Sequence, residues 1–155
     1  MNSISDKIRI GTVGELLVTL RLLQHGVQAS PPLKDSGNDL VAVRGCEFRA
    51  IQVKTTQSRL FRLTGLPELY HIVALVHLVG QDQHLSLDES KIFLLAKDQI
   101  TRTTYAIEKL GEYELTQDLI ESLFLPCACS IPSVPTQFQF TACSAKEEAI
   151  TDESR

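Results

Sequence analysis

Apolar spacing predicts a long helix at the start of the chain. Ser5-Asp6 is a suitable N-cap pair, and Gly26 is a suitable stop after Gln24 or His25. One apolar stripe recurs at helical intervals, and a second apolar side lies beside it. The helix is therefore expected to pack against a sheet and against a second element or subunit. The main stripe is Val13, Leu16, Leu17, Leu20 and Leu23, and the second side is Val18 and Leu22.

Alternation of apolar and polar residues over 37–56 predicts a β-hairpin. Gly45-Cys46 separates the two alternating runs, and a two-residue loop with Gly first suits a type II′ turn. In that register Arg44 pairs with Glu47.

The same register places chemistry at the open end of the hairpin. Asp39 lies opposite Gln52, and directly opposed side chains point to one face. Lys54 follows two residues later and shares that face. A three-residue loop would place Asp39 opposite Val53 and separate the cluster, because a one-residue slip moves every side chain to the other face.

The remaining pattern predicts a single α/β domain with a mixed sheet of four to six strands, flanked by helices. A Pro- and Gly-containing loop over 31–38 leads into the hairpin, and 81–84 is predicted to be a turn. The other predicted strands are 27–29 (a short edge strand), 59–63, 72–79 and 91–96; helices are predicted to begin at 97 and to span 116–124.

Composition changes at Pro126. Residues 145–155 are predicted to be a disordered tail after a domain of residues 1–144, and 137–140 alternates enough to add one strand. Cys127, Cys129 and Cys143 lack the paired spacing and the His partner of a structural zinc site, so metal binding there is not favoured.

Composition bounds the class of protein. The length is 155 residues with 43% hydrophobic and 22% charged residues, which is typical of one globular domain. No apolar run is long enough to span a bilayer. Four cysteines without a disulfide spacing favour a reducing compartment, so a cytoplasmic location is expected.

Charge is divided unevenly along the chain. Residues 1–62 hold nine Lys and Arg against five Asp and Glu, a net charge of +4; residues 63–155 hold six against fourteen, a net charge of −8. Local positive charge attracts a polyanion even where the total is −4. Simple solvation of these elements explains the asymmetry equally well.

The residues at the open end of the hairpin resemble a known signature. Asp39, then a strand that ends in Gln52-x-Lys54, after a helix that bears Glu15, is similar to the PD-(D/E)XK nuclease superfamily over about residues 7–64. The chain departs from that pattern at Asn38, which replaces a nominal proline, and at Gln52, which replaces an acid. A Gln-x-Lys version occurs in intron-encoded homing endonucleases of this fold, and the size and layout also resemble archaeal Holliday-junction resolvases.

The resemblance implies a restriction-endonuclease-like core and a Mg²⁺-dependent DNA endonuclease, with Mn²⁺ as a possible substitute. Asp39, Glu15 and Gln52 are the implied metal ligands, since Mg²⁺ prefers oxygen donors. Gln52 brings no charge, so weaker metal binding is expected. Lys54 is the implied group that orients the attacking water and stabilises the transition state. Lys34, Arg59 and Arg62 are candidates for contact with the DNA backbone.

Each site residue also has a simpler explanation. Glu15 fits a solvated helix carboxylate, and Asp39 with Lys54 fits a structural cross-strand ion pair. Gly11 and Gly14 lower helix propensity just before Glu15, which a close approach of backbone or phosphate explains as well as fraying does.

Two functions therefore stay open, and so does the question of whether Val18 and Leu22 face a second subunit or the interior of the same chain. The alternative to an endonuclease is a catalytically silent DNA-binding or assembly module, in which Gln52 marks loss of metal. Because one site cuts one strand, a homodimer or tetramer is expected. Its surface is predicted at Val18 and Leu22 or near Phe138 and Phe140, unless Val18 and Leu22 lie under a C-terminal helix of the same chain.

Overall fold

The computed structural model describes residues 4–34, 37–81 and 84–125. Within these ranges the chain forms two α-helices, seven β-strands and three single-turn 3₁₀ helices. The α-helices are α1 (Asp6–Gln24) and α2 (Gln117–Leu123). The strands are β1 (Gln28–Ser30), β2 (Leu40–Arg44), β3 (Glu47–Thr56), β4 (Leu60–Arg62), β5 (Ile72–Gln81), β6 (His84–Ala96) and β7 (Thr104–Ala106), and the 3₁₀ helices are Lys97–Gln99, Ile107–Lys109 and Gly111–Tyr113.

Five strands form the main sheet in the order β1-β2-β3-β5-β6. The pair β3–β5 is parallel and the other neighbours are antiparallel, so the sheet is mixed. The predicted α/β class, with a sheet of four to six strands flanked by helices, is confirmed. The predicted edge strand is β1, at one margin of the sheet.

The hairpin β2–β3 has the predicted register. Arg44 pairs with Glu47 and Leu40 pairs with Ile51. Gly45 has a φ of 62°, which the first position of a type I′ or II′ turn requires and which Gly adopts without steric cost.

Helix α1 has the predicted bounds, and its buried side is the one that contains Gly14 and Val18. Ser5 caps it, its side chain accepting a hydrogen bond from the Ile8 N–H. Gly14, Leu17, Val18 and Leu22 are buried against the sheet. Of the predicted main stripe Leu17 is buried, whereas three leucines are exposed, so the stripe is divided between the core and the outer side of the helix. Their exposed fractions are 63% for Leu16, 50% for Leu20 and 59% for Leu23.

Two hydrophobic cores lie on opposite faces of the main sheet. The first joins α1 and α2 to one face, and in it Val18 and Leu22 share a cluster with Ile120 and Phe124. Val18 and Leu22 therefore lie under α2 of the same chain, so that alternative is confirmed and the alternative of a subunit surface is wrong. The second core includes Phe61, Phe93 and Leu110 on the opposite face.

The second core is closed by a small sheet that was not predicted. Strand β4 lies within the predicted strand 59–63, but it pairs with β7 in a separate two-stranded sheet rather than extending the main one. Leu60 pairs with Ala106, 46 positions away, so no local pattern indicated the partner.

The remaining elements follow the prediction more closely. Strand β5 and helix α2 lie where they were predicted, a 3₁₀ helix replaces the short helix expected at 97, and β6 begins at His84 rather than at residue 91. The predicted tail, the strand at 137–140, the three C-terminal cysteines and Phe138 with Phe140 lie outside the described residues. None of the described helices is long and apolar enough to cross a membrane.

Candidate active site

Asp39 and Gln52 meet directly at the open end of the hairpin. Gln52 Nε2 donates a hydrogen bond to Asp39 Oδ2. The main-chain N–H of Val53 donates a second bond to the same oxygen at 2.6 Å. The Asp39 N–H donates to the Ile51 carbonyl at 3.1 Å, which holds Asp39 in line with the β2–β3 ladder. Hairpin register therefore fixes both partners of this pair.

The other oxygen of Asp39 is left open. Both hydrogen bonds described for this carboxylate go to Oδ2, and Oδ1 accepts none from the residues that the structure describes. The neighbouring Asn38 also keeps a buried side-chain oxygen, Oδ1, without a hydrogen-bond partner. Of the two, only the Asn38 oxygen is buried without a partner, whereas Asp39 Oδ1 is accessible and can accept a further ligand.

Glu15 stands close enough to Asp39 to feel its charge. Burial raises the pKa of the Glu15 carboxyl, and the negative charge of Asp39 raises it further. Two carboxylates that repel each other are the arrangement in which a divalent cation lowers the energy most, because it neutralises both.

A close contact between α1 and β3 positions Glu15. A Cβ atom at Gly14 would lie 1.9 Å from Thr55 Oγ1, so only glycine permits this approach. The approach adjoins Glu15 on the helix and Lys54 on the strand. Of the two interpretations of these glycines, close approach holds for Gly14, whereas Gly11 has nothing within 4 Å.

Lys54 lies on the same strand face as Gln52. In the parallel register Gln52 aligns with Val73 and Lys54 aligns with Leu75, two residues of the second core. The Lys54 ammonium has no ion pair or hydrogen bond with any described side chain, and it is half-buried. The simpler explanation of these residues, an ion pair between Asp39 and Lys54, does not hold, because the two side chains form no salt bridge within residues 4–34, 37–81 and 84–125.

Beyond Lys54 the chain turns back and brings Arg62 to the same place. Lys54 and Arg62 line one open pocket of about 350 Å³ together with Thr56 and Ser58. The Ser58 N–H donates to Thr56 Oγ1 at 3.1 Å, and the Ser58 hydroxyl donates to the Leu60 carbonyl at 3.0 Å. These local bonds hold the turn that sets Arg62 beside Lys54.

The other two basic candidates lie apart from this pocket. Arg59 forms an ion pair with Glu108, with Nη2 2.6 Å from Oε1, although both side chains are mostly exposed. A hydrogen bond from its own backbone and the Arg59 guanidinium lower the pKa of Glu108 against the opposing effect of burial. Lys34 is exposed in the segment that follows β1.

The donor set fits a hard divalent cation. Asp39 and Glu15 supply carboxylate oxygens, and Gln52 supplies an amide oxygen if its amide rotates to exchange Nε2 for Oε1. The set is lean: the described part of the chain contains no group of three or more His, Cys, Asp or Glu side chains arranged to hold a metal. Asp39 and Glu15 are the two acids of this set, and Gln52 adds no charge.

Two of these features were not predicted from the sequence. Thr55 packs its hydroxyl against Gly14, and that buried hydroxyl has no hydrogen-bond partner in the structure. The capture of Arg59 by Glu108 was also missed. The contact of Thr55 with Gly14 had one signal in the sequence, a glycine directly before a candidate acid. The ion pair of Arg59 with Glu108 had none, since the two residues are 49 positions apart.

Comparison with known structures finds a similar fold. The chain is similar to the bacterial homing endonuclease I-Ssp6803I, with a TM-score of 0.60 over 79% of this chain and 95% of that chain. Sequence identity is 15%, so the likeness shows the fold alone. No protein-family model matches the sequence, and no curated protein matches it either.

Proposed function

We propose that this protein is a metal-dependent DNA endonuclease of the PD-(D/E)XK type, in the variant with Gln-x-Lys. The observation that carries the proposal is the pairing of Asp39 with Gln52 on one face of the hairpin. Glu15 feels the charge of Asp39, and Lys54 follows Gln52 by two residues on the same face of β3. The nuclease-like fold supports it independently, since the similar solved structure is that of a homing endonuclease. Homing of an intron and resolution of a junction are both compatible with this chemistry.

Each residue has a distinct role in phosphodiester hydrolysis. Asp39 Oδ1 and the Glu15 carboxylate would hold Mg²⁺, or Mn²⁺ in its place, and Gln52 would add a neutral oxygen. The bound ion supplies counter-charge to the phosphate and acidifies water. The Val53 N–H keeps Asp39 oriented by holding its other oxygen. Glu15 loses its repulsion with Asp39 when the site is filled.

Lys54 acts on the reacting phosphate. Its ammonium is not committed to any described carboxylate, so it is free to hold a water in line and to stabilise the charge that develops on the phosphate oxygens. Arg62 faces the same pocket and would hold a neighbouring phosphate of the same strand. Lys34 and Arg59 would contact the backbone farther away, Arg59 after exchanging Glu108 for phosphate.

Plasmid nicking by the purified protein tests the proposal. We expect Mg²⁺-dependent conversion of supercoiled to open-circular DNA, and a loss of about 10²- to 10³-fold in rate for Lys54→Ala. Lys91→Ala is the matched control. Lys91 lies on β6 and forms an exposed ion pair with Glu114, so its replacement should leave the rate unchanged. Metal-independent nicking, or equal nicking by Lys54→Ala, would contradict this function.

A silent DNA-binding module is the second candidate, and the neutral Gln52 favours it. Gln52→Glu separates the two, because it adds a third carboxylate to a lean site. In an active enzyme, wild-type protein nicks DNA, and the variant does so at lower Mg²⁺ concentration. In a silent module only the variant binds Mg²⁺ measurably by calorimetry, and wild-type protein binds DNA without nicking it.

We propose a homodimer or a dimer of dimers, with the outer face of α1 as its surface. This face is defined as Leu16, Leu20 and Leu23, three leucines that are at least half exposed on one side of one helix. Light scattering should give a multiple of the 17.2 kDa chain mass. Leu20→Glu should reduce it to a monomer, whereas Leu69→Glu, at an exposed leucine in the loop before β5, should not.

The cytoplasmic location stays a prediction from the cysteine pattern. Of the cysteines, Cys46 at the hairpin turn is described, and it is free and exposed.

A further inference from the structure

Part of the main sheet is left open on the face opposite to α1. The second core covers this face over β5 and β6, but its buried residues do not extend over β1, β2 and the first half of β3. There the side chains of paired residues point outward, because directly opposed residues share a face. Five residues make up this open face: Gln28, Ser30, Val41, Val43 and Phe48; Ala50 points to the same side but is buried.

The centre of the open face is apolar and its margin is polar. Val43 and Phe48 pair across the hairpin and are 40% and 56% exposed, although both are large hydrophobic residues. Phe48 is held by an edge-on contact with the His71 ring at 5.5 Å. Gln28 and Ser30 lie on the outermost strand, level with Val43 and Val41, and both are exposed.

The open face lies on the same side of the hairpin as Asp39 and Gln52 of the candidate active site. Along the hairpin, the pair Val43–Phe48 is followed by Val41–Ala50, and the next pair on this face is Asp39 with Gln52. A strand rises about 3.3 Å per residue, so Phe48 lies roughly 13 Å along β3 from Gln52. Ala50 and Gln52 between them are buried, so a bound molecule would have to be long enough to reach from the site to the open face, as a DNA duplex is.

The chemistry of the face selects the molecule. None of its five residues carries a carboxylate, so the face itself does not repel a polyanion. The major groove of DNA admits a β-ribbon, and a Gln side chain pairs with the edge of adenine while Phe and Val contact the thymine methyl group. Gln28 beside Val43 and Phe48 offers this combination.

We propose that the open face lies in the major groove and reads base edges next to the cut phosphate. Gln28 and Ser30 form hydrogen bonds to the bases, and Val43 with Phe48 contacts thymine methyl groups. The inference rests on the proposed action on DNA and adds where sequence is read. Because Phe48 lies roughly 13 Å from Gln52 and base pairs are spaced by about 3.4 Å, the bases read lie within about four base pairs of the cut.

The experiment separates base reading from catalysis. Wild-type protein is mixed with duplexes randomised over about ten base pairs, one helical turn, with Ca²⁺ in place of Mg²⁺ so that binding is measured without cutting. Bound duplexes are sequenced, and the same library is then nicked with Mg²⁺ to map preferences relative to the cut. The variants are Gln28→Ala with Ser30→Ala, and Phe48→Leu, which keeps an apolar side chain should the fold require one.

Gln24→Ala is the matched control. Gln24 is an exposed glutamine on α1, on the side of the sheet away from the open face, where it accepts a hydrogen bond from Arg21. We expect wild-type protein to prefer certain bases within four pairs of the cut, and Gln24→Ala to keep that preference. The double variant should lose about 5- to 100-fold of the discrimination at those positions, the range of one good base contact.

The outcomes distinguish this inference from the proposed function. Sequence preference that survives in the double variant and in Phe48→Leu overturns the inference while nicking stands. Preference that depends on Gln28 in a protein that never nicks sustains the inference and overturns the enzyme. Binding without any sequence preference overturns the inference, and so does a halved mass of the double variant in light scattering, which would make the face a subunit contact.

Discussion

The two faces of strand β3 differ in what they contact: one packs in the hydrophobic core, and the other carries the polar residues of the candidate site. Ile51, Val53 and Thr55 point to α1, where the first two lie in the first core and the third meets Gly14. Gln52 and Lys54, the residues between them, point to the other face, where polar groups gather at the margin of the second core. One strand therefore supplies packing with every second residue and chemistry with the residues between.

This division couples stability to the site through register. A slip of one residue would move Gln52 and Lys54 into the apolar core and expose Ile51 and Val53. The core face therefore holds the chemical face in place, although its residues do not touch the reacting groups. Packing should be disrupted by changes on one face and activity by changes on the other.

Ile51→Ala should have the largest effect on folding. Ile51 is fully buried, and removing such a side chain leaves a cavity, so the free energy of unfolding should fall by about 2–5 kcal/mol. Lys54→Ala, three positions later on the other face, should change it by less than about 0.5 kcal/mol. Urea unfolding of both variants checks this. Equal destabilisation would show that the two faces are not separate.

Gly14→Ala should have the next largest effect. The added Cβ would lie 1.9 Å from Thr55 Oγ1, so α1 must move away from β3 at a cost of about 1–3 kcal/mol. That movement carries Glu15 with it, so nicking should fall more than stability alone explains. Thermal unfolding measures the loss of stability, and the plasmid assay, run below the unfolding temperature, measures the loss of activity.

Gly11→Ala and Thr55→Ala are the controls for this contact. Gly11 has nothing within 4 Å, so alanine there should stabilise the helix by up to about 1 kcal/mol. Thr55→Ala removes the clashing hydroxyl and should recover part of the loss in a double variant. Destabilisation by Gly11→Ala of the same size would instead indicate that helix α1 tolerates no change in this turn.

The contrast between the faces also explains what was predictable from the sequence. Hairpin register follows from a two-residue loop and strict alternation, so the pairing of Asp39 with Gln52 needed no distant information. The bounds of α1 followed from Ser5 and Gly26 in the same way. Local rules therefore predicted the strand face that carries the candidate site.

The buried side of α1 did not follow from hydrophobicity. Leu16, Leu20 and Leu23 are exposed, and the side that contains Gly14 faces the sheet, because close packing on β3 requires a small residue. The number of apolar residues on each side of the helix does not reveal the contact of Gly14 with Thr55. The pairing of β4 with β7 was missed because three-residue strands distant in sequence carry no local signal.

The smallest effect should come from Glu15→Gln, and its size depends on pH. Burial and the charge of Asp39 raise the pKa of Glu15 in the folded state. A carboxyl whose pKa is raised on folding binds protons more readily when folded, so its ionised form opposes folding. The wild type is therefore penalised at pH values above the folded pKa, and the penalty disappears as the pH falls below the ordinary Glu value of about 4.3.

In the absence of metal, Glu15→Gln should therefore be slightly more stable than wild type at pH 7, and the difference should vanish near pH 4. The effect is small because Glu15 is only half-buried and water screens its repulsion with Asp39. Glu89→Gln, at an exposed position on β6, controls for the loss of one negative charge. Added Mg²⁺ should reverse the order, since a ligand stabilises the form that binds it better. Thermal unfolding with and without Mg²⁺ measures both signs, and a Glu15→Gln protein that gains as much from Mg²⁺ as wild type would remove Glu15 from the metal site.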